Sequence, residues 1–393
     1  MTRNIVVLLD GTSNGIKSNR TNILRLYGTL AKDEAQIVYY DPGVGTFGGD
    51  FAPLRLYRKG AEIWGMATGF GLDFNALEAY RFLLNNYRKD PESGECDRIY
   101  IFGFSRGAYT ARVLAGFINA FGLIERRNEN LLSYAYRAYK TIGEGVDEMD
   151  PEDKRFEEMF LYQRIVDPDH PPIRMLGLFD TVSSVIERTR RGIGLRSHAF
   201  TDVNPSVESI RHAVAIDERR TMFQPKLWKG GQDYFGNPFR KGEATPQDLK
   251  EVWFSGVHGD IGGGYREGAS QLAKLPLKWM IEQSQSLGLR FVERTVRRLV
   301  MGEDGQYSEP HALAPMHNSM TWGWPALELL PRRSPALTRR PALLGWTLPL
   351  FERRVIPSGA RLHQSVLDRY ADRPPSHLPE RFEVEPYGEP VNP

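Results

Sequence analysis

The chain has 393 residues, 41% hydrophobic and 25% charged, a composition that supports a sizeable folded core and excludes wholesale disorder. Its 51 basic and 49 acidic residues leave a formal charge of +2, so no overall basic field points to nucleic acid and no such partner is expected. A single cysteine, Cys96, excludes a disulfide within the chain and, without a Cys-centred motif around it, reads as a passive residue.

Along the chain, Met1-Thr2-Arg3-Asn4 leads into the apolar run Ile5-Val6-Val7-Leu8-Leu9, which ends in Asp10-Gly11-Thr12. The run is too short for a signal peptide and reads as a buried strand. No stretch reaches the roughly 18 consecutive apolar residues of a membrane-spanning helix. The expectation is synthesis in the cytoplasm, with any export by a route that needs no cleavable signal. Further strand-like runs fall at Ile37–Tyr40, Arg98–Phe102, Ile173–Phe179 and Glu251–Phe254. They alternate with helix-like stretches, the pattern of an α/β fold with a mostly parallel sheet covered on both faces.

Asp73–Tyr87 places Phe74, Leu77, Tyr80, Phe82 and Leu84 near helical spacing, and Ala108–Phe121 does the same. Residues 122–172 read as a charge-rich helical insertion, either a lid or an excursion packed on the body, with Leu131, Tyr134, Tyr136, Tyr139, Phe156, Met159 and Phe160 as its apolar positions. Residues 322–354 are rich in Trp, Arg, Leu and Pro, including Trp322, Arg339, Arg340 and Trp346. Arg beside Trp and Leu suits a peripheral membrane contact, whereas the prolines suit a surface loop or hairpin. The tail from Pro374 reads as irregular. The expected division is a catalytic domain over 1–290 with 291–393 as an extension packed on it; oligomeric state is not legible.

Gly103-Phe104-Ser105-Arg106-Gly107 matches G-x-S-x-G, and it joins a strand-like run to a helix-like one, the setting of a nucleophile elbow. A serine hydroxyl is a weak nucleophile, so a histidine must take its proton and a carboxylate must hold that histidine. The fold orders these as Ser, acid, His. Asp180 ends the run Ile173–Phe179, where an acid points into the elbow's crevice. His258 follows a strand-like run and precedes Gly259-Asp260-Ile261-Gly262-Gly263-Gly264, whose glycines permit a tight turn beside it. Competing bases are His212, in a segment that reads as a core-facing helix, and His363. His170, His198, His311, His317 and His377 have no evident acid to orient them.

The tetrahedral intermediate needs N–H donors, one from Arg106 after the nucleophile and a second from the loop closing the first strand, with Gly11 and Thr12 as candidates. Asp10 in that loop either orients it, holds Arg106, or pairs with Asp260 around a divalent cation. No third ligand is apparent, and no metal or cofactor is expected.

Asp10-Gly11-Thr12, Gly103-Phe104-Ser105-Arg106-Gly107-Ala108, Phe179-Asp180-Thr181-Val182 and Val252 through Tyr265, together with Arg211 through Arg220 and His363-Gln364-Ser365-Val366, resemble the type VI secretion lipase effector family, first class. The resemblance spans nearly the whole chain. It implies an α/β-hydrolase fold, a triad of Ser105, Asp180 and His258, and phospholipase activity. The expected function is a serine ester hydrolase on a lipid or phospholipid. The alternatives are a soluble carboxylesterase or thioesterase, and a hydrolase-like binding protein without turnover.

Overall fold

The run Asn4–Leu9 forms a strand (β1) buried along its whole length, lying parallel between Gln36–Asp41 (β2) and Arg98–Phe104 (β3). Beyond β3 come Ile173–Phe179 (β4), Val207–Ala215 (β5), Asp248–Phe254 (β6), Ala360–His363 (β7) and Phe382–Glu385 (β8), each parallel to its neighbours. The eight strands stand in the order β2-β1-β3-β4-β5-β6-β7-β8. This computed structural model describes residues 2–11, 19–43, 70–143, 149–150, 152–182, 186–189, 192–195, 198–239, 244–321, 324–333, 337–372 and 374–388.

Strand alternation divides the core. Ile5, Val7, Leu9, Ile99 and Ile101 pack with helices Phe70–Asn86 (α2) and Arg106–Phe121 (α3), while Val6, Leu8, Tyr100 and Phe102 pack with Asn22–Thr29 (α1) and Lys274–Ser286 (α7). Both faces are covered, which is why β1 and β3 read as continuous apolar runs. The architecture is the helix-covered, parallel α/β sheet expected of an α/β-hydrolase-like protein.

Several local expectations differ. The stretch around His212 is not a helix but the central strand β5. Val207, Ile210 and Val214 fall at helical spacing, and the buried Arg211 and His212 mask the strand's apolar character. Strand β6 supplies a partner for each: Asp248 lies 2.6 Å from Arg211 and Glu251 2.8 Å from His212. Nor is the tail wholly irregular, because β8 pairs with β7 and Arg361 bridges to Glu383 across the pair. The buried stripe of α2 is Leu72, Ala76, Ala79, Tyr80 and Leu83, while Phe74 faces outward.

The insertion is helical, as Leu132–Ile142 (α4) and Glu157–Val166 (α5), and its Tyr136, Tyr139, Phe156 and Met159 join the core against Phe117 and Phe121 of α3. Tyr134 is exposed. In the Trp/Arg/Leu segment, a short helix Trp324–Leu327 precedes an antiparallel pairing of Arg332–Arg333 with Trp346–Thr347; Trp322 lies outside the described residues. No helix among the described residues is long and apolar enough to cross a membrane.

Candidate active site

The strand order reverses at β1, with β2 on one side and β3 on the other, and α1 and α3 pack on opposite faces of the sheet, an arrangement that leaves a crevice at the carboxyl ends of β1 and β3. Ser105 follows β3 there, and Asp10 and Gly11 follow β1. The serine backbone is held at φ 57°, ψ −119°, a strained conformation that lifts its side chain out of the sheet. Its N–H donates to the Phe179 carbonyl at 3.0 Å, tying the turn to β4.

Both flanking glycines are required by contact. A Cβ on Gly103 would lie 2.4 Å from the Gly107 carbonyl oxygen, and one on Gly107 would lie 2.2 Å from that of Leu9. Helix α3 therefore starts hard against β1, aiming its N-terminus at the crevice.

His258 reaches this serine. Its Nε2 lies 2.8 Å from Ser105 Oγ and its Nδ1 2.5 Å from Asp180 Oδ2. The imidazole sits between the rings of Phe104, at 4.8 Å, and Phe223, at 5.0 Å, which shield it from water. Rather than riding a glycine loop, His258 opens a short helix, His258–Gly262 (α6). That turn is closed by Asp260, which accepts the Val257 N–H at 3.0 Å, and by Glu218, which accepts the His258 N–H at 3.1 Å.

Asp180 is fully buried at the end of β4, with φ 42°. Its Oδ1 accepts the Ala215 N–H at 2.9 Å and Arg354 Nη1 at 2.5 Å; its Oδ2 accepts Arg354 Nη2 at 3.0 Å besides facing the imidazole. Burial pushes this carboxyl up, but Arg354 and His258 together outweigh burial and hold it below the ordinary carboxylate range.

The competing residues go elsewhere. His212 Nδ1 lies 2.8 Å from Glu251 and its Nε2 accepts the Thr181 N–H at 3.2 Å; burial lowers its pKa. His363 accepts the Ser365 N–H at 3.2 Å and caps the helix after β7. His317, expected to lack an acid, has one: its Nδ1 lies 2.6 Å from Asp260 Oδ1. No short apolar pattern marks the loop that carries His317 to α6, so the pairing had no sequence signal.

Asp10 ties the end of β1 to the start of α1 and to β2, accepting the Gly11 N–H at 2.7 Å, the Thr21 hydroxyl at 2.5 Å and the Tyr40 hydroxyl at 3.0 Å. Gly11 thus gives its N–H to Asp10 rather than to the crevice, and Thr12 lies outside the described residues. Asp10 and Asp260 are each engaged by different donors, and no group of three or more metal-ligating side chains gathers among the described residues. Arg106 begins α3, and burial lowers the pKa of its guanidinium to about 10.

Residues 3–283 match the family model described as "T6SS, Phospholipase effector Tle1-like, catalytic domain". The chain belongs to this family. A curated relative, the uncharacterized protein YEL023C of Saccharomyces cerevisiae, is 35% identical over 235 residues, covering 56% of this chain; the chain spans 32% of that relative's length. Among solved structures, an uncharacterized protein from Pseudomonas aeruginosa is 18% identical, over 78% of this chain and 49% of that one, with a TM-score of 0.42. The Tle1 effector bound to the VgrG spike of the type 6 secretion system is 16% identical, over 79% of this chain and 77% of that one, with a TM-score of 0.34.

Two residues of this Tle1-like chain were not anticipated at the site. Glu218 is buried, bridges Arg220 at 2.8 Å, and accepts the Ser319 hydroxyl at 2.8 Å as well as the His258 N–H. Burial pushes it up, yet its bonds to Arg220 bring it down to about 2. It lies in the resemblance motif Arg211 through Arg220, so a signal existed. Arg354 lies beyond the family match, in an Arg-rich segment where nothing distinguishes it from Arg353.

Proposed function

We propose that this chain hydrolyses lipid esters, phospholipids foremost, through an acyl-enzyme formed on Ser105. The observation that carries this is the imidazole of His258 standing within hydrogen-bond reach of both Ser105 and Asp180. Ser105 Oγ attacks the ester carbonyl as His258 Nε2 takes its proton, and Asp180 holds the imidazole by Nδ1 and stabilises the imidazolium. The same nitrogen then returns the proton to the leaving alcohol. Water, deprotonated in turn by His258, clears the acyl group. The Arg106 N–H at the start of α3 is the oxyanion donor, helped by the helix N-terminus.

Lipid as the substrate class is supported by family membership and by the segment closed by the antiparallel pairing of Arg332–Arg333 with Trp346–Thr347, called the arm, at whose tip Leu343, Leu344 and Trp346 are exposed, a few residues after Arg339 and Arg340 in the chain. Apolar and indole groups enter an interface while guanidiniums meet its phosphates.

A fluorophosphonate probe should label the folded chain and fail to label Ser105→Ala. Absence of labelling on wild type would sink the hydrolase proposal. Hydrolysis of short soluble esters but not of phospholipid vesicles would instead favour a small-acyl esterase.

A further inference from the structure

The hydrolase proposal above leaves one charge at the site unassigned. Arg354 comes from the segment returning from the hairpin arm, its side chain is 2% exposed, and its two terminal nitrogens face the two oxygens of Asp180. The same nitrogens donate to the Ala215 and Phe223 carbonyls, at 2.9 and 2.5 Å. A fork bonded on both prongs at both ends cannot rotate, and it fixes the plane of the carboxylate it grips.

We propose that Arg354 is a positioning residue for the reaction assigned to Ser105, His258 and Asp180, fixing the Asp180 carboxylate against His258 and setting the pH at which the site loses its base. The inference rests on the hydrolase reading for its kinetic consequences, but the coupling of Arg354 to His258 through Asp180 can be read without turnover.

Physical chemistry gives the sign. A fixed cation on the far side of Asp180 opposes adding a second positive charge on the imidazole and opposes protonation of the carboxylate. Removing it eases both protonations, so activity is lost at higher pH on the acid side. Among the described residues, other charged groups around the cluster have partners of their own, Asp260 on α6 with His317 at 2.6 Å among them. Glu218 after β5 holds Arg220, His212 on β5 faces Glu251, and Asp217 lies 3.5 Å from both Arg353 and His377. Among the described residues, Arg354 is the permanently charged side chain bonded to Asp180.

The test uses the full chain as Arg354→Gln and Arg354→Lys. The first removes the charge, and the second keeps a charge but loses the fork. Two quantities are measured: kcat and KM against pH on a short-chain p-nitrophenyl ester, and titration of the His258 ring by NMR. In Arg354→Gln the acid limb of kcat/KM and the ring titration should both move up by about one pH unit, the scale of a nearby charge. In Arg354→Lys the limb should stay near wild type while kcat falls about tenfold at unchanged KM, because one ammonium cannot hold the carboxylate plane.

A role limited to clamping the arm would lower the melting temperature and leave the acid limb in place, and that outcome overturns the proposal. Should Arg354→Gln not fold, wild-type kcat in Arg354→Lys overturns it. Should wild type neither label with fluorophosphonate nor turn over ester, the hydrolase reading fails by itself. An unmoved His258 titration in Arg354→Gln would then separately remove the coupling.

Discussion

The body through α6 and the region after it supply the crevice in different ways. From the body, Ser105, Asp180 and His258 arrive at strand ends, each placed by the backbone: Ser105 at φ 57°, Asp180 at φ 42°, His258 at the first position of α6. From the later region, Arg354, His317 and Ser319 arrive by the reach of their side chains onto Asp180, Asp260 and Glu218. Body residues are thus held by turns that tolerate few alternatives, whereas the later ones need only a charge or hydroxyl at the right distance. In the proposed mechanism the chemistry falls to the first set, and electrostatic support to the second.

The largest expected effect falls on the body. Asp180→Asn should lower kcat by about 10⁴, since the imidazole loses both its tautomer and its stabilising charge. It should also lower stability by about 3 kcal/mol, because Arg354 is then a buried cation without its counter-charge. Kinetics on a soluble ester and a denaturant titration check the two parts. Near-normal turnover would erase the distinction between body and later region, since the acid would have to come from elsewhere.

Gly107→Ala tests the same set through packing. Its new Cβ would lie 2.2 Å from the Leu9 carbonyl oxygen and 2.5 Å from that of Asp10, backbone atoms at the end of the interior strand β1 and just beyond it. Neither can yield cheaply, so a loss of about 3 kcal/mol is expected, read as a lower denaturation midpoint. An unchanged midpoint would show that α3 does not depend on this close approach to β1.

The same contrast explains what was legible from residues alone. An elbow demands glycines on both sides of its serine, and buried parallel strands demand apolar runs, so β1, β3, β4 and β6 and the residues at their ends leave patterns. Strand β5 was misread because Arg211 and His212 are buried within it, made tolerable by Asp248 and Glu251 one strand away, a pairing that local sequence does not encode. Arg354 was missed for a related reason. It acts across 174 positions of sequence, and a guanidinium has no required neighbours to mark it.

His363 sharpens the comparison within the later region. Burial pushes its pKa down from 6.5 to about 4, so the folded chain binds fewer protons than the unfolded one between those values. The neutral ring's contribution is therefore present above pH 6.5 and is lost as pH falls toward 4, by roughly 3 kcal/mol in all. His363→Gln cannot titrate, so the stability gap between wild type and variant should close over that window while ester turnover per folded molecule stays unchanged. A gap that is constant with pH would place the acid sensitivity in another group.

The smallest effect is expected at the arm, where support gives way to surface. Leu343 is 80% exposed and Leu344 93%, at a turn between Arg340 and Trp346, and neither packs on the body. Burying one leucine contributes about 1.5 to 3 kcal/mol when complete, and insertion at an interface is partial. Replacing both by aspartate adds repulsion from anionic lipid as well. The expected result is about a tenfold higher concentration of anionic vesicles for half-maximal phospholipid hydrolysis, with soluble-ester kcat/KM within about twofold of wild type. Equal loss on both substrates would mean that the tip is not separable from Arg354 at the base of the same segment. Loss on neither would remove the arm from lipid contact and leave substrate class to the crevice alone.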